Sequence, residues 1–174
     1  MMTFSLYDAV IPSNLQILGA VDDFVAKGET WAAEQGKPPE ELLKARLAPD
    51  MLPFGYQVKS CAVHSTGAVD GVRGGSFSPD MKPWPDTFDG LHAAVRAAVA
   101  ALEGISREEF DTLAERDTTF RMGDLAIPFT GGQFLLSFSQ PNFYFHATTA
   151  YAILRAQGVP LGKRDFIGKL RVKR

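Results

Sequence analysis

Three histidines and one cysteine are the side chains in this sequence best suited to metal or nucleophile chemistry: His64, His92, His146 and Cys61. A catalytic zinc-type site holds its metal on about three protein ligands and keeps one position open. Such a site requires all three histidines to converge, or a carboxylate to complete the set. The alternative is that each imidazole is a partly buried, hydrogen-bonded side chain. We expect Cys61 to be buried and inert, because only His64, one turn away, is present to lower its pKa.

His146 lies in a stretch that predicts the central helix of the fold, from about Pro141 to Gly158. Proline suits the first turn of a helix and glycine suits its end. Apolar residues recur there at helical spacing: Phe143, Ala147, Ala150 and Leu154. A helix that is apolar around most of its circumference must be covered by several neighbours. We therefore expect it to lie in the middle of a helical bundle and to carry His146 inward.

The same helix supplies the residues of a candidate ligand pocket. Tyr144, Tyr151 and Arg155 are predicted to line, together with His146, a polar pocket for an anionic small molecule. Arg155 has a second explanation, because a cation near the C-terminus of a helix interacts favourably with the helix dipole.

Helical spacing and capping residues predict further helices at about 11–35, 40–46 and 54–72, and between Thr87 and Gly104. Ser5 and Asp8 resemble a capping box ahead of the first helix, and Pro12 is expected to kink or restart it. Four main helices, including the one that carries His146, predict an all-α fold of the four-helix-bundle type.

The structure of the segments between and after these helices is predicted less directly, from turn-forming residues and composition. The proline-rich segment Ser76–Asp86 predicts a long crossover loop, with Trp84 as a plug. Residues 117–130 predict a small β-hairpin, which must lie against the bundle because an isolated hairpin is only marginally stable. Residues 159–174 predict an irregular, basic tail.

Length, charge and cysteine content limit the classes of protein to which this chain can belong. The 174 residues suit a single domain, 1–174, and the net charge of −2 argues against nucleic acid as a partner. With no apolar run long enough to span a bilayer, we expect no membrane association. The lone cysteine and the lack of a secretion signal predict a cytoplasmic protein.

Three motifs carry a resemblance to a known family: Leu47–Met51, Pro141–Arg155 and Gly158–Phe166. They resemble a bacterial family known only as a domain of unknown function, which is grouped with the DinB/YfiT-like four-helix bundles. The resemblance covers nearly the whole chain. It implies an up-down-down-up bundle that assembles as a homodimer.

The resemblance also implies a metal site. Members of the wider superfamily often hold a divalent metal on three histidines, one from the second helix and two, four residues apart, from the last helix. His146 matches the first histidine of the last-helix pair, but the second position is Ala150, which cannot bind a metal. His64 is the histidine of the second helix. The predicted metal ligands are therefore His64 and His146, with the third ligand missing.

Two functions follow, and the sequence leaves open whether the protein is an enzyme. The first, which we favour, is a small-molecule-binding or non-catalytic bundle with an incomplete or absent metal site and no cofactor. The second is a divalent-metal-dependent thiol transferase or hydrolase acting on a small molecule, with zinc or nickel as the metal.

Overall fold

The structure is a computed structural model and describes residues 4–173. Met1–Thr3 of the predicted domain and Arg174 of the predicted tail lie outside the described residues. In chain order the helices are α1 (Leu6–Glu34), α2 (Pro39–Leu43), α3 (Phe54–Ala62), α4 (Ala68–Gly74), α5 (Phe88–Glu103), α6 (Arg107–Asp111), α7 (Gly131–Gln133), α8 (Gln140–Ala156) and α9 (Lys163–Ile167). Two π-helical turns join consecutive helices: π1 (Val63–Gly67) between α3 and α4, and π2 (Phe134–Ser139) between α7 and α8. The strands are β1 (Ser76–Phe77), β2 (Asp117–Met122) and β3 (Leu125–Thr130).

The long helices form the predicted bundle, in which α1 and α3 each pack against both α5 and α8. Contacts at both ends fix the relative direction of α1 and α8. Gln140, at the start of α8, donates to the Ala9 carbonyl near the start of α1. Leu154, near the end of α8, packs against Gly28 late in α1. These two helices are therefore parallel.

The other two helices run in the opposite direction. The start of α3 meets the middle of α8 through Gln57 and His146, whereas His64, further along, meets Ser139 just before α8. The end of α5 shares a groove with the early part of α1, while the start of α5 reaches Asp22 of α1. The result is the up-down-down-up order that the resemblance implied.

Helix α1 is continuous, so the expected restart at Pro12 is wrong. The capping box is confirmed: Asp8 N–H donates to Ser5 Oγ, and Ser5 N–H donates to the Asp8 carboxylate. Proline inside an isolated helix costs about 3 kcal/mol. Here α1 is covered by α5, α8 and α9, and this packing offsets the lost hydrogen bond. Arg107 of α6 also donates to both Asp8 oxygens and holds the pKa of that carboxyl at about 2.

Helix α8 starts at Gln140, close to the predicted start at Pro141, but the helical segment that carries His146 begins before it. Thr130 caps α7 by accepting from the Gln133 amide, and the chain stays helical through π2 into α8. Pro141 therefore lies inside a longer helical segment. Pro141 has no backbone N–H to donate. The neighbouring side chain of Asn142 supplies a donor in this turn, because its Nδ2 donates to the Phe138 carbonyl over 2.7 Å.

The predicted hairpin is present as β2 and β3, which pair in antiparallel register with Phe120 opposite Ile127. Gly123, with φ of 57°, takes the first loop position, where a two-residue hairpin turn favours glycine. The sequence did not predict the third strand, β1, which pairs in parallel with β2. A strand of two residues is too short to show the alternation from which strands are recognised.

An aromatic cluster attaches this sheet to the bundle. Phe77 of β1 lies 5.2 Å from Phe134, and Phe120 of β2 lies 4.7 Å from Phe138, measured between ring centroids. Phe129 of β3 contacts both rings of π2. The expectation that the hairpin lies against the bundle is therefore confirmed.

The C-terminal segment is not wholly irregular, as the sequence had predicted, because it contains α9. This short helix docks on α1, where Gln16 Nε2 donates to the Ile167 carbonyl over 2.9 Å and Lys27 pairs with Asp165. Within residues 4–173, no helix combines the length and the apolar character that crossing a membrane requires.

Candidate functional site: a buried histidine pair

His64 and His146 lie side by side where π1 faces α8. Their ring centroids are 5.3 Å apart and their planes differ by 17°, which is a stacked arrangement. They are 8% and 9% exposed respectively, so only a small part of each residue reaches solvent. The structure thus brings together the two histidines predicted as metal ligands, and their role as ligands stays a prediction.

His146 is held by the side chain of Gln57, a residue of α3 that is almost fully buried. Gln57 Oε1 lies 2.7 Å from His146 Nδ1. The other end of the same amide, Nε2, donates to the Leu52 carbonyl over 2.8 Å. Both ends of the amide are therefore engaged, and the orientation of the His146 ring is fixed from one side.

The backbone of His64 is held by π2. Ser139 Oγ donates to the His64 carbonyl over 2.6 Å, in a hydrogen bond that is fully buried. This bond links the two π-helical turns directly. Such turns are rare and occur frequently at functional sites, because they interrupt the regular hydrogen-bond pattern of a helix.

The ring of His64 lacks a hydrogen-bond partner at one nitrogen. Its Nδ1 is buried and is unpaired among the described residues. The surroundings are aromatic, with Phe77 and Phe138 at 5.6 and 6.0 Å from the His64 ring centroid. Tyr56 takes the equivalent place beside His146, at 6.0 Å. A polar atom left unpaired in such surroundings costs about 1–3 kcal/mol.

Both imidazoles are neutral at pH 7. Burial lowers the pKa of His146 from 6.5 to about 4. For His64, burial and then the charge of a protonated His146 lower the pKa to about 4. Two stacked imidazoles in an apolar environment cannot both be protonated without strong repulsion, which agrees with the direction of both shifts.

No third histidine, cysteine or carboxylate ligand lies beside this pair in residues 4–173. Ala150, one turn after His146, is completely buried in the core. His92 lies between α5 and α1, where its Nδ1 contacts Asp22 and its Nε2 is 3.8 Å from Glu29. Across residues 4–173, no three histidine, cysteine or acidic side chains are close enough to hold a metal ion together. Any metal at the pair would therefore have two imidazole donors from the described residues.

The other residues of the predicted pocket make contacts elsewhere. Tyr151 packs edge-on against Phe24 of α1 and Phe166 of α9. Arg155 donates to the Leu161 carbonyl, and Tyr144 packs against its neighbour Phe143. Arg155 lies nine residues after His146, which is about 13 Å along a helix axis. These contacts give Tyr151 and Arg155 a part in docking the C-terminal segment, and their predicted role in a ligand pocket stays a prediction.

The family model described as Domain of unknown function (DUF1993) matches residues 6–167. The chain belongs to the DUF1993 family. Among solved structures, this DUF1993 protein is similar to the crystal structure of a DinB family member from Shewanella denitrificans. The two share 27% sequence identity at a TM-score of 0.81, over 97% of this chain and 95% of that one. No curated protein matches the sequence. The predicted grouping with the DinB-like bundles is therefore confirmed.

Gln57 and Ser139, which position the two histidines in this DUF1993 protein, were not predicted from the sequence. The position of Gln57 could have been inferred from the sequence. It precedes Cys61 by four residues and His64 by seven, so it lies on the same face of the helix. The position of Ser139 could not have been inferred in this way, because it depends on the two π-helical turns. Cys61 itself is fully buried, and burial raises the pKa of its thiol, as expected for an inert side chain.

A cleft of about 690 Å³ lies between α3, π1 and α4 on one side and the crossover segment on the other, and neither histidine of the pair lines it. Phe77 belongs to its wall and also contacts the His64 ring. Lys59 lies in the cleft, but its ammonium group is engaged by the carbonyls of Asp80 and Lys82 and by the Asp80 carboxylate. This lysine therefore ties the crossover segment to α3.

Trp84, the predicted plug, is half-buried against the first turn of α3. A Cβ at Gly55 would lie 2.5 Å from Trp84 Cδ1, so only glycine permits this close approach. Trp84 also packs edge-on against Tyr56, which in turn packs against His146. The crossover segment thus reaches the histidine pair through two aromatic rings.

Proposed function

We propose that this DUF1993 protein is a small-molecule-binding bundle, and that the His64–His146 pair is the polar end of its binding site. The unpaired, buried Nδ1 of His64 carries this proposal. A protein gains nothing in stability by keeping a polar nitrogen without a partner among aromatic rings. A ligand that offers the missing partner would remove that cost on binding.

The surroundings of the pair support the same conclusion. Binding sites for small molecules are mostly apolar and contain a few fixed polar groups, within volumes of about 300–1,000 Å³. The cleft beside Phe77 falls in this range at about 690 Å³. In this proposal the cleft holds the body of the ligand. A movement of Phe77 then lets the polar group of the ligand reach the imidazoles.

The test combines metal analysis with ligand binding on the purified, full-length protein. We expect less than stoichiometric zinc and nickel by mass spectrometry. We also expect His146 ring resonances to shift on titration with phenol, used as a small aromatic probe. The shift should be lost in His64→Phe and kept in Thr148→Ala, an exposed position on α8. Stoichiometric metal that disappears in His146→Ala would overturn the proposal.

A second candidate, favoured by the 5.3 Å stacking of the two rings, is a divalent-metal-dependent thiol transferase or hydrolase. Neutral imidazoles are the protonation state that metal binding requires. With two protein donors, zinc or nickel would need the small molecule or water to complete its coordination. Calorimetric titration with zinc, with and without 2-mercaptoethanol, separates the two candidates. Tight binding of zinc that is weakened in both His64→Phe and His146→Gln favours the metal enzyme.

We further propose a cytoplasmic homodimer. Phe145, on the outer side of α8, is 55% exposed, and a dimer interface there would remove its apolar surface from water. Sedimentation of the purified protein is expected to give a dimer that Phe145→Ser weakens. A monomer at micromolar concentration contradicts this expectation.

A further inference from the structure

The buried amide of Gln57 decides which nitrogen of His146 the site offers to a ligand. A neutral imidazole has one N–H donor and one acceptor nitrogen, and the partner of either nitrogen settles which is which. Gln57 contacts Nδ1 of His146 at 2.7 Å. The tautomer of His146 therefore depends on whether the glutamine presents its oxygen or its NH₂ group to the ring.

The contact with the Leu52 carbonyl fixes the orientation of the Gln57 amide. The Leu52 carbonyl lies 2.8 Å from the second polar atom of the Gln57 amide, and a carbonyl can only accept a hydrogen bond. The atom facing Leu52 must therefore be the NH₂ group, because a flipped amide would place two oxygens against each other. The amide oxygen then faces His146 Nδ1, and only a protonated Nδ1 can donate to it. Gln57 is 2% exposed, so bulk water does not compete with either partner.

We propose that Gln57 is a positioning residue that holds His146 as the Nδ1–H tautomer, so that the acceptor nitrogen Nε2 anchors a ligand carrying a neutral hydrogen-bond donor, such as an alcohol or phenol. The ligand class rests on the proposed binding function, whereas the tautomer rests on Gln57 and Leu52 alone. An anionic group has no donor for Nε2.

The tautomer is tested by two-bond ¹H–¹⁵N correlation spectra of ¹⁵N-histidine-labelled, full-length protein at pH 7. We expect His146 Nδ1 to show the shift of a protonated nitrogen and Nε2 that of an unprotonated one. Gln57→Leu removes the acceptor and should release His146 into a mixture of tautomers. Gln57→Glu keeps an acceptor at the same place, so it should restore the Nδ1–H form and raise the His146 pKa through its charge.

These spectra decide the positioning role. A wild-type His146 protonated at Nε2, or a Gln57→Leu variant with the wild-type tautomer, overturns it. If Gln57→Leu does not fold, the tautomers of the wild type and of Gln57→Glu still test the proposal. A purely structural role for the amide would leave the His146 tautomer unchanged in Gln57→Leu.

The ligand class is tested with three probes that share one ring: phenol, anisole and benzoate. Phenol has a neutral donor, anisole has none and benzoate is an anion. We expect phenol to shift His146 Nε2 and to bind about tenfold more tightly than anisole, the effect of one hydrogen bond. Benzoate binding as tightly as phenol overturns the ligand class. Binding of none of the three overturns both the ligand class and the proposed binding function, and the tautomer spectra stand independently.

Discussion

Acidification from pH 7 to pH 5 is expected to destabilise this protein through His64 and His146. In the folded state both histidines have a pKa of about 4, whereas a histidine in an unfolded chain has a pKa near 6.5. Between these values the unfolded state binds protons that the folded state does not. Stability therefore rises with pH across this window: the contribution is fully present above pH 6.5, falls as the pH drops below 6.5, and is fully lost by about pH 4.

The magnitude follows from the same two values. A histidine whose pKa falls from 6.5 to about 4 on folding costs the protein about 2 kcal/mol between pH 7 and pH 5. Two such histidines cost up to about 4 kcal/mol, a large fraction of the 5–15 kcal/mol by which domains are typically stable. The window ends at pH 5 because aspartates such as Asp8, whose folded pKa is about 2, begin to lose their contribution below it.

The assay is urea unfolding at pH 7 and pH 5 for the wild type, His146→Gln and His64→Phe. Between pH 7 and pH 5, the free energy of unfolding of each variant is expected to fall by about 2 kcal/mol less than that of the wild type. This difference does not depend on the stability of the variant at pH 7. Thr148→Ala, on the exposed side of α8, should behave as the wild type does. An equal loss in the wild type and both histidine variants would refute the view that the pair is held neutral by burial.

Three further substitutions test the packing around the pair. Gly55→Ala is expected to push Trp84 outward, because the new Cβ would lie 2.5 Å from the indole, and tryptophan fluorescence should shift to longer wavelength with little change in stability. Ser139→Ala removes the buried hydrogen bond to the His64 carbonyl, and urea unfolding should show a loss of about 1–3 kcal/mol. Ala150→His overfills a fully buried position and should lower the melting temperature, and added zinc should reverse part of that loss by supplying a partner to the third imidazole.

Periodicity and capping residues predicted the bundle correctly because they are local signals. The capping box of Ser5 and Asp8, the cap at Thr87 and the hairpin turn at Gly123 each depend on residues within one turn of each other. The restart expected at Pro12 was wrong for the opposite reason. Whether a proline interrupts a helix depends on how strongly the rest of that helix is packed, and this is not readable from neighbouring residues.

The site was predictable only in part. The resemblance identified His64 and His146, and the structure stacks their rings. Their positions relative to Gln57 and Ser139 depend on π1 and π2, which have backbone angles close to those of an α-helix and leave no pattern in the sequence. Tyr151 and Arg155 share a helix with His146, but nothing in that helix reveals that α9 docks beside them.

The neutrality of the two imidazoles does not by itself choose between a bound small molecule and a bound metal, since both require an unprotonated nitrogen. The number and direction of the donors favour the small-molecule site that we propose. A metal held by protein alone needs about three donors, and Ala150 fills the third position with core packing. A hydrogen-bonded ligand needs one acceptor with a fixed orientation, and Gln57 supplies that orientation to His146. The same glutamine would also orient a metal-binding imidazole, so any metal in this DUF1993 protein would depend on its ligand for retention, and removing the ligand should release it.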